Sequence, residues 1–206
     1  MKRTKGKGKK RERGVSIASQ KTKNKAYLEK DPYSFDDFEK WNWTKYETSD
    51  PVSIDEFIDT NRDHLWFIGT DSQQNGKHKR CTYTTVLIAY DYDHEMGCGH
   101  GGTIIRYVDR RSMIPLEALS ARLTLETQRS IELCKYLENR LLYLSEEDGE
   151  DYISNIVGIS IDVNAQDIHK SCRFKDALVG MVVGYGYRAF IKPEAWAAAS
   201  VADKKC

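Results

Sequence analysis

The stretch "FIGTDSQ", residues 67–73, contains an aspartate where the pattern predicts a buried strand. The apolar residues 65–67 precede the aspartate. Asn75-Gly76, a dipeptide that strongly favours a hairpin turn, lies just after the stretch. A lone carboxylate in a protein core costs several kcal/mol unless it is paired or binds a metal ion. Asp71 therefore indicates a functional site if other acids occupy equally unsuitable positions.

Further strands are predicted downstream of this stretch. Residues 80–91 are rich in β-branched and aromatic side chains, and another strand is predicted at 103–109 after a glycine-rich loop at 97–102. With the strand at 65–74, these segments predict an antiparallel meander. Residues 153–163, "ISNIVGISIDV", are mostly apolar, which is typical of a parallel strand covered on both faces.

Helical segments separate the later strands. Pro115 suits the first position of a long helix that continues to about Leu144, and a second helix is predicted at 169–183. A short strand at 187–191 and an alanine-rich helix from about Glu194 follow. This order predicts an α/β domain with a mixed five-stranded sheet, three strands antiparallel and then two parallel, with helices on both faces.

Charge is distributed unevenly along the 206 residues. Residues 1–25 contain eleven Lys and Arg and one acid, whereas the rest of the chain has 21 basic and 30 acidic side chains. A run with so many charges cannot bury apolar surface, which predicts a disordered tail. Its Lys and Arg side chains would bind a polyphosphate such as nucleic acid, because each one that neutralises a phosphate releases a counterion. A solubility tail or a targeting sequence is the alternative. Residues 26–50, aromatic and acidic, predict an arm that docks on a domain spanning 51–206.

Composition excludes several classes of protein. No apolar run approaches the roughly 18–20 residues that span a bilayer, and no hydrophobic segment follows the basic N-terminus as in a secretory signal. We therefore expect a cytoplasmic protein without membrane contact. The five cysteines are scattered and form no CxxC pair, which predicts reduced thiols. A zinc site at Cys98 and His100, with His94 and His78, lacks a second ligand pair at finger spacing.

Three further acids occupy positions as unsuitable as that of Asp71. Asp162 lies near the end of the strand at 153–163, and neighbouring strands are about 4.8 Å apart, so these two carboxylates could share a cation. Glu126 lies on the apolar stripe of the long helix, and Asp203 lies in the alanine-rich helix. Three of the acids have a structural alternative: Asp71 could cap a turn, Glu126 could lie at the edge of the stripe, and Asp203 could belong to a frayed terminus. Their joint arrangement favours a site at one sheet edge.

The chain resembles the YkuK-type family of predicted ribonuclease H-like nucleases. The resemblance covers roughly residues 50–206 and implies the ribonuclease H-like fold. It is carried by four segments, "FIGTDSQ" (67–73), "RLTLETQRSIELC" (122–134), "GISIDVN" (158–164) and "KPEAWAAASVADK" (192–204).

The resemblance implies hydrolysis of phosphodiester bonds by a two-metal mechanism, on RNA or an RNA/DNA hybrid. Two Mg²⁺ or Mn²⁺ ions would be bound by oxygen ligands, which these ions prefer. The implied catalytic and metal-binding residues are Asp71, which would bridge both ions, Glu126, Asp162 and Asp203. His169, Lys170 and Lys192 are candidates for contacts with substrate phosphate, and a solvated helix start is the alternative for Lys170.

Other activities remain as alternatives. A proofreading-type exonuclease carries Asp-x-Glu in its first strand, whereas Asp71 is followed by Ser72-Gln73. Such an exonuclease also needs Tyr or His shortly before its last Asp, where this chain has Ala198 and Ala199. A catalytically weak nucleic-acid-binding protein that uses the fold as a scaffold, or an α/β interaction module, would have no reason to keep buried carboxylates. The acids therefore favour an enzyme, and no protein partner is indicated.

Overall fold

Six strands form one mixed sheet in the computed structural model, which describes residues 37–75, 80–112, 119–164 and 170–202. The order across the sheet is β1-β4-β3-β2-β5-β6. The strands are β1 (Thr44–Lys45), β2 (Leu65–Asn75), β3 (Arg80–Asp93), β4 (Cys98–Ser112), β5 (Ile156–Asn164) and β6 (Ala189–Lys192). Strands β1 to β4 pair antiparallel, whereas β5 is parallel to β2 and β6 is parallel to β5. The predicted α/β class with a mixed sheet is confirmed.

Helices cover both faces of this sheet. They are α1 (Ile54–Thr60), α2 (Leu119–Asp148), α3 (Lys175–Gly184) and a π-helix (Ala197–Ala202), with short 3₁₀ turns between some elements. The predicted start of the long helix at Pro115 lies outside the described residues. None of the helices in the described part of the chain is both long enough and apolar enough to cross a membrane.

The alternation of side chains along β2 separates two hydrophobic cores. Trp66 and Ile68 pack with Leu133 of α2 in the larger core, while Phe67 packs with Ala197 of the π-helix in the smaller one. Successive residues of a strand point to opposite faces. Helix α2 and the π-helix therefore lie on opposite faces of the sheet.

The sheet has six strands, not the predicted five, because Thr44–Lys45 adds an edge strand beside β4. Two residues are too few to produce a recognisable alternating pattern. The indole of the buried Trp43 donates a hydrogen bond to the Phe38 carbonyl (2.8 Å), and both residues belong to the larger core. Residues 37–50 thus share the sheet and core of the domain, and the boundaries predicted at 25 and 50 stay predictions.

Two regular elements extend beyond their predicted bounds. Strand β4 begins at Cys98, so residues 98–102 of the predicted glycine-rich loop are strand, and Gly97 lies in the preceding turn. A Cβ at Gly99 would lie 1.8 Å from the Tyr90 hydroxyl, so glycine here makes room for the neighbouring tyrosine ring. Helix α2 continues to Asp148, beyond its predicted end near Leu144, so residues 145–148 are helical. Polar, flexible side chains are good helix formers, so the acidic composition misled the prediction.

Candidate active site

The candidate site lies where β2 and β5 separate. Their parallel pairing runs as far as Thr70 and Ile161, and the next residues along the two strands are Asp71 and Asp162. The predicted parallel arrangement of these strands is confirmed. Asp71 is 6% exposed, and the side chain of Asp162 is 21% exposed. Two carboxylates are thus positioned at the same level of adjacent strands, at the point where the strands stop sharing hydrogen bonds.

Helix α2 brings Glu126 to this point from one face of the sheet. The Ser72 hydroxyl donates to Glu126 Oε1 at 2.5 Å, and one turn further along the helix the Ser130 hydroxyl donates to Thr70 Oγ1 at 3.0 Å. Thr70 and Ser72 are alternate residues of β2, so both side chains face α2. These two contacts fix the register of the helix against the strand and orient the Glu126 carboxylate.

Burial raises the pKa of Glu126 well above its ordinary value, because the ionised carboxylate loses solvation at 4% exposure. The negative charges of Asp71 and Asp162 raise it further, whereas the hydrogen bond from Ser72 and the charge of Arg122 lower it. All four neighbours thus act on one carboxylate. A raised pKa produced by burial together with specific charged neighbours is typical of functional sites.

Arg122 is part of the same cluster, although the sequence did not single it out. Its Nη1 atom donates to the Ser72 carbonyl at 2.9 Å and to the Ser72 hydroxyl at 3.0 Å. It precedes Glu126 by four residues on α2, a spacing that places both side chains on one helix face. That spacing was the signal that could have identified Arg122. No sequence pattern could have identified Ser72, because its role depends on the contact between β2 and α2.

Lys192, predicted to contact substrate, is paired with a predicted metal ligand. Its Nζ atom lies 2.5 Å from Asp162 Oδ1. Lys192 ends β6 and pairs with Asn164 of β5, whereas the pairing is irregular between Ser160 and Asn164, where Asp162 lies. The end of β6 thus lies beside this irregular part of β5, which brings the ammonium to the carboxylate.

These side chains line an open cleft of about 330 Å³. Among the described residues, its charged members are three acids and three cations: Asp71, Glu126, Asp162, Arg122, Lys170 and Lys192. Lys170 is exposed at the cleft. Five of the seven predicted site residues are thus brought together, and the other two, His169 and Asp203, lie outside the described residues.

The cleft suits a hard divalent cation by its chemistry. Its donors are carboxylate, hydroxyl and amide oxygens, and Asp162 already holds a cationic group, the Lys192 ammonium. No three His, Cys, Asp or Glu side chains among the described residues are grouped closely enough to hold a metal ion by themselves. Cys98 and His100, the alternative zinc ligands, are 3.9 Å apart, and Asp93 Oδ2 lies 4.0 Å from His100 Nε2, but the described residues form no group of three that could hold a metal ion.

A family model described as Ribonuclease H-like matches residues 52–206, more than half of the chain. The chain belongs to the ribonuclease H-like family. The family resemblance predicted from the sequence is confirmed. All the described residues of the cleft lie within the matched segment of this ribonuclease H-like chain. No curated protein and no solved structure matches the chain significantly.

The raised pKa of Glu126 predicts how stability depends on pH. Below the ordinary carboxyl pKa, Glu126 is protonated in both the folded and the unfolded chain. As pH rises, the unfolded chain ionises first, so the free energy of unfolding falls until pH exceeds the raised folded pKa. Glu126→Gln cannot ionise and keeps the Oε1 acceptor for Ser72. In EDTA, we expect the variant to be more stable than the wild type at pH 8, with the difference shrinking towards pH 4.

Urea denaturation of both proteins at several pH values between 4 and 8 measures this difference. Glu132→Gln, on the same helix but partly exposed, is the matched control and should show little change. A Glu126→Gln variant that is less stable than the wild type at pH 8 would mean that the ionised carboxylate stabilises the fold.

Proposed function

We propose that the chain is a divalent-metal-dependent nuclease that hydrolyses phosphodiester bonds in RNA or in an RNA/DNA hybrid. The observation that carries this proposal is the convergence of Asp71, Glu126 and Asp162 on one cleft where two parallel strands separate. Membership of the ribonuclease H-like family supports it. A buried carboxylate is usually paired or bound to a metal ion, which favours a bound cation in this cleft.

The three described acids, with Asp203 as a further ligand, would hold Mg²⁺ or Mn²⁺. Bound divalent ions supply activation of the attacking water and stabilisation of the leaving oxygen. Asp71 and Asp162 provide carboxylate oxygens from rigid strands, which keeps their positions precise. Glu126 is oriented by Ser72, which in turn accepts a hydrogen bond from Arg122.

Substrate phosphate would be bound by the cations around the acids. Lys170 lines the cleft and is exposed, so its ammonium is accessible to a nucleic-acid backbone. His169 is proposed to act beside it. Such contacts position the backbone without reading the base sequence, which suits a nuclease of low sequence specificity.

A nucleic-acid-binding scaffold with little catalytic activity is the second candidate. The observation that favours it is the charge balance of the cleft, where three cations accompany the three described carboxylates. Such a cluster can be stable without metal. The two candidates differ in whether bound nucleic acid is cleaved when Mg²⁺ or Mn²⁺ is added.

A cleavage panel tests the proposal. End-labelled RNA, RNA/DNA hybrid and DNA are incubated with the full chain in Mg²⁺, Mn²⁺ or EDTA, and with Asp162→Asn as the inactive control. Metal-dependent cleavage of RNA or hybrid, abolished in the variant, is the expected result. Circular substrates separate endonucleolytic from exonucleolytic cleavage. Binding without cleavage in either metal would favour the scaffold.

The basic tail, which lies outside the described residues, is proposed to increase affinity for nucleic acid. Deleting residues 1–25 removes eleven basic side chains. We expect weaker binding to all sequences and a shallower dependence of log K on log salt, by about 0.7–0.9 for each phosphate that the tail neutralises. Fluorescence anisotropy at several salt concentrations measures both. An unchanged slope would assign the tail to solubility or targeting.

A further inference from the structure

Arg122 uses only one nitrogen of its guanidinium in hydrogen bonds with the described residues. Its Nη1 atom donates to the carbonyl and to the hydroxyl of Ser72, at 2.9 and 3.0 Å. The Nε atom is buried and has no hydrogen-bond partner among the described residues. The Nη2 atom has no such partner either, but it is not buried. The N–H donors on Nε and Nη2 are therefore available to a ligand.

A buried charged donor without a hydrogen-bond partner needs an explanation. Nearly all buried polar groups in folded proteins are hydrogen-bonded, and a charged group loses more solvation on burial than a neutral one. Arg122 forms no ion pair with a carboxylate of the described residues, whereas Lys192 of the same cleft is paired with Asp162. The charge of Arg122 favours the ionised form of Glu126, but no hydrogen bond joins the two side chains. The unpaired donors thus indicate an anion that comes from outside the chain.

Ser72 fixes the position of Arg122 beside the acids of the cleft. The Ser72 hydroxyl accepts a hydrogen bond from Arg122 and donates one to Glu126 Oε1 at 2.5 Å. The Ser72 carbonyl is a second acceptor for the same Nη1 atom, which limits rotation of the guanidinium plane. The arginine side chain lines the cleft together with Asp71 and Asp162. A cation with available donors is therefore held next to the three described carboxylates.

The available edge of this guanidinium matches a phosphate group. Nε–H and one N–H of Nη2 point in the same direction along one edge of the planar group, and such an edge pairs with two phosphate oxygens at once. Because Nη2 is not buried, an oxygen that enters the cleft can contact this atom first, and Nε completes the pair. A carboxylate would fit the same edge, but the anion of a nucleic-acid backbone is phosphate.

We propose that Arg122 binds a backbone phosphate of the nucleic acid through Nε and Nη2. This inference rests on the proposed nuclease function and adds a substrate-binding residue to it. Ser72 contacts both Arg122 and Glu126, so the phosphate that Arg122 binds is held next to the acids of the cleft. A lysine could supply the charge but not the planar pair of donors.

Steady-state cleavage of labelled RNA and RNA/DNA hybrid in saturating Mn²⁺ tests this proposal. For Arg122→Gln, we expect KM to rise by about tenfold or more with a smaller change in kcat, because a contact made in both the bound substrate and the transition state is lost. Arg122→Lys should also raise KM, because it keeps the charge and loses the fork. Arg188→Gln is the matched control, since Arg188 is exposed and does not line the cleft. Its KM should equal that of the wild type.

Mn²⁺ affinity in the absence of nucleic acid separates phosphate binding from a positioning role. Free Mn²⁺ is followed by electron paramagnetic resonance during titration of each protein, and circular dichroism melts show whether each variant is folded. The affinity of Arg122→Gln for Mn²⁺ should equal or exceed that of the wild type, because removing a positive charge near Glu126 reduces repulsion of the ion. If Arg122 acted only by orienting Ser72 and Glu126, the affinity for Mn²⁺ would fall instead.

The same measurements distinguish failure of the inference from failure of the proposed function. A lower Mn²⁺ affinity in Arg122→Gln, or a KM within about twofold of the wild type, would overturn the inference and leave the nuclease proposal intact. If Arg122→Gln does not fold, an unchanged KM in Arg122→Lys overturns the inference alone. A wild-type chain that cleaves neither substrate in Mn²⁺ would overturn the nuclease proposal, and the inference with it.

Discussion

Replacing Asp71 with Asn is expected to slow metal-dependent cleavage by about three orders of magnitude or more. The amide has nearly the same shape as the carboxylate, but it lacks the charge that attracts a divalent ion. Loss of several kcal/mol of charge stabilisation in the transition state corresponds to a rate change of at least that order. Single-turnover cleavage rates of the two proteins in saturating Mg²⁺ measure the effect.

Asp176→Asn is the matched control, because its carboxylate is 95% exposed on α3 and does not line the cleft. Its cleavage rate should equal that of the wild type. Thermal melts add a test independent of activity, since Mg²⁺ at a hundredfold excess over Kd should stabilise the wild type by about 2.7 kcal/mol. If Asp71→Asn cleaves within tenfold of the wild type and gains as much stability from Mg²⁺, Asp71 is a structural residue.

The largest effect on stability is expected for Arg129→Met, which should lower the free energy of unfolding by about 3 kcal/mol. Arg129 is 1% exposed and forms an ion pair with Asp109, whose side chain is 18% exposed. Its guanidinium also lies 4.8 Å from the Tyr83 ring centroid and 5.8 Å from that of Trp41. Removing the arginine deprives a poorly solvated carboxylate of this counter-charge. Urea denaturation with an unchanged m-value measures the loss.

The double variant Arg129→Met/Asp109→Leu separates the charge effect from the packing effect. Replacing both partners of a buried pair with apolar side chains is often close to neutral, so most of the stability should return. Lys135→Met, which removes an i,i+3 pair with Glu132 on the surface of α2, should cost less than about 1 kcal/mol. If the double variant is as unstable as Arg129→Met, the cost lies in packing against the aromatic rings.

The central part of the fold and of the site could be predicted because each signal is local. The apolar run before Asp71 and the run before Asp162 identify β2 and β5, and the mostly apolar composition of β5 indicates a parallel strand covered on both faces. Glu126 was identifiable because a charged residue interrupts a periodic apolar stripe. Each of these predictions needs only the residues within one element.

The contacts that the sequence could not predict join different elements. The hydrogen bonds from Arg122 to Ser72 join residues fifty positions apart, and their geometry depends on how α2 lies on the sheet. Lys192 reaches Asp162 where β6 ends beside an irregular part of β5, and no pattern within either strand specifies that irregularity. Strand β1 is too short for any periodicity to be visible.

The parallel pairing of β2 with β5 has a consequence for the order in which the domain is completed during its own synthesis. Trp66 pairs with Ile156, roughly ninety residues later, and β6 adds Lys192 after that. Contacts between segments so distant form slowly, because a long loop must first be closed. The antiparallel hairpins from β2 to β4 need no such closure. The cleft needs β5 and β6 in addition to β2, and we therefore expect it to be the last part of the domain to be completed.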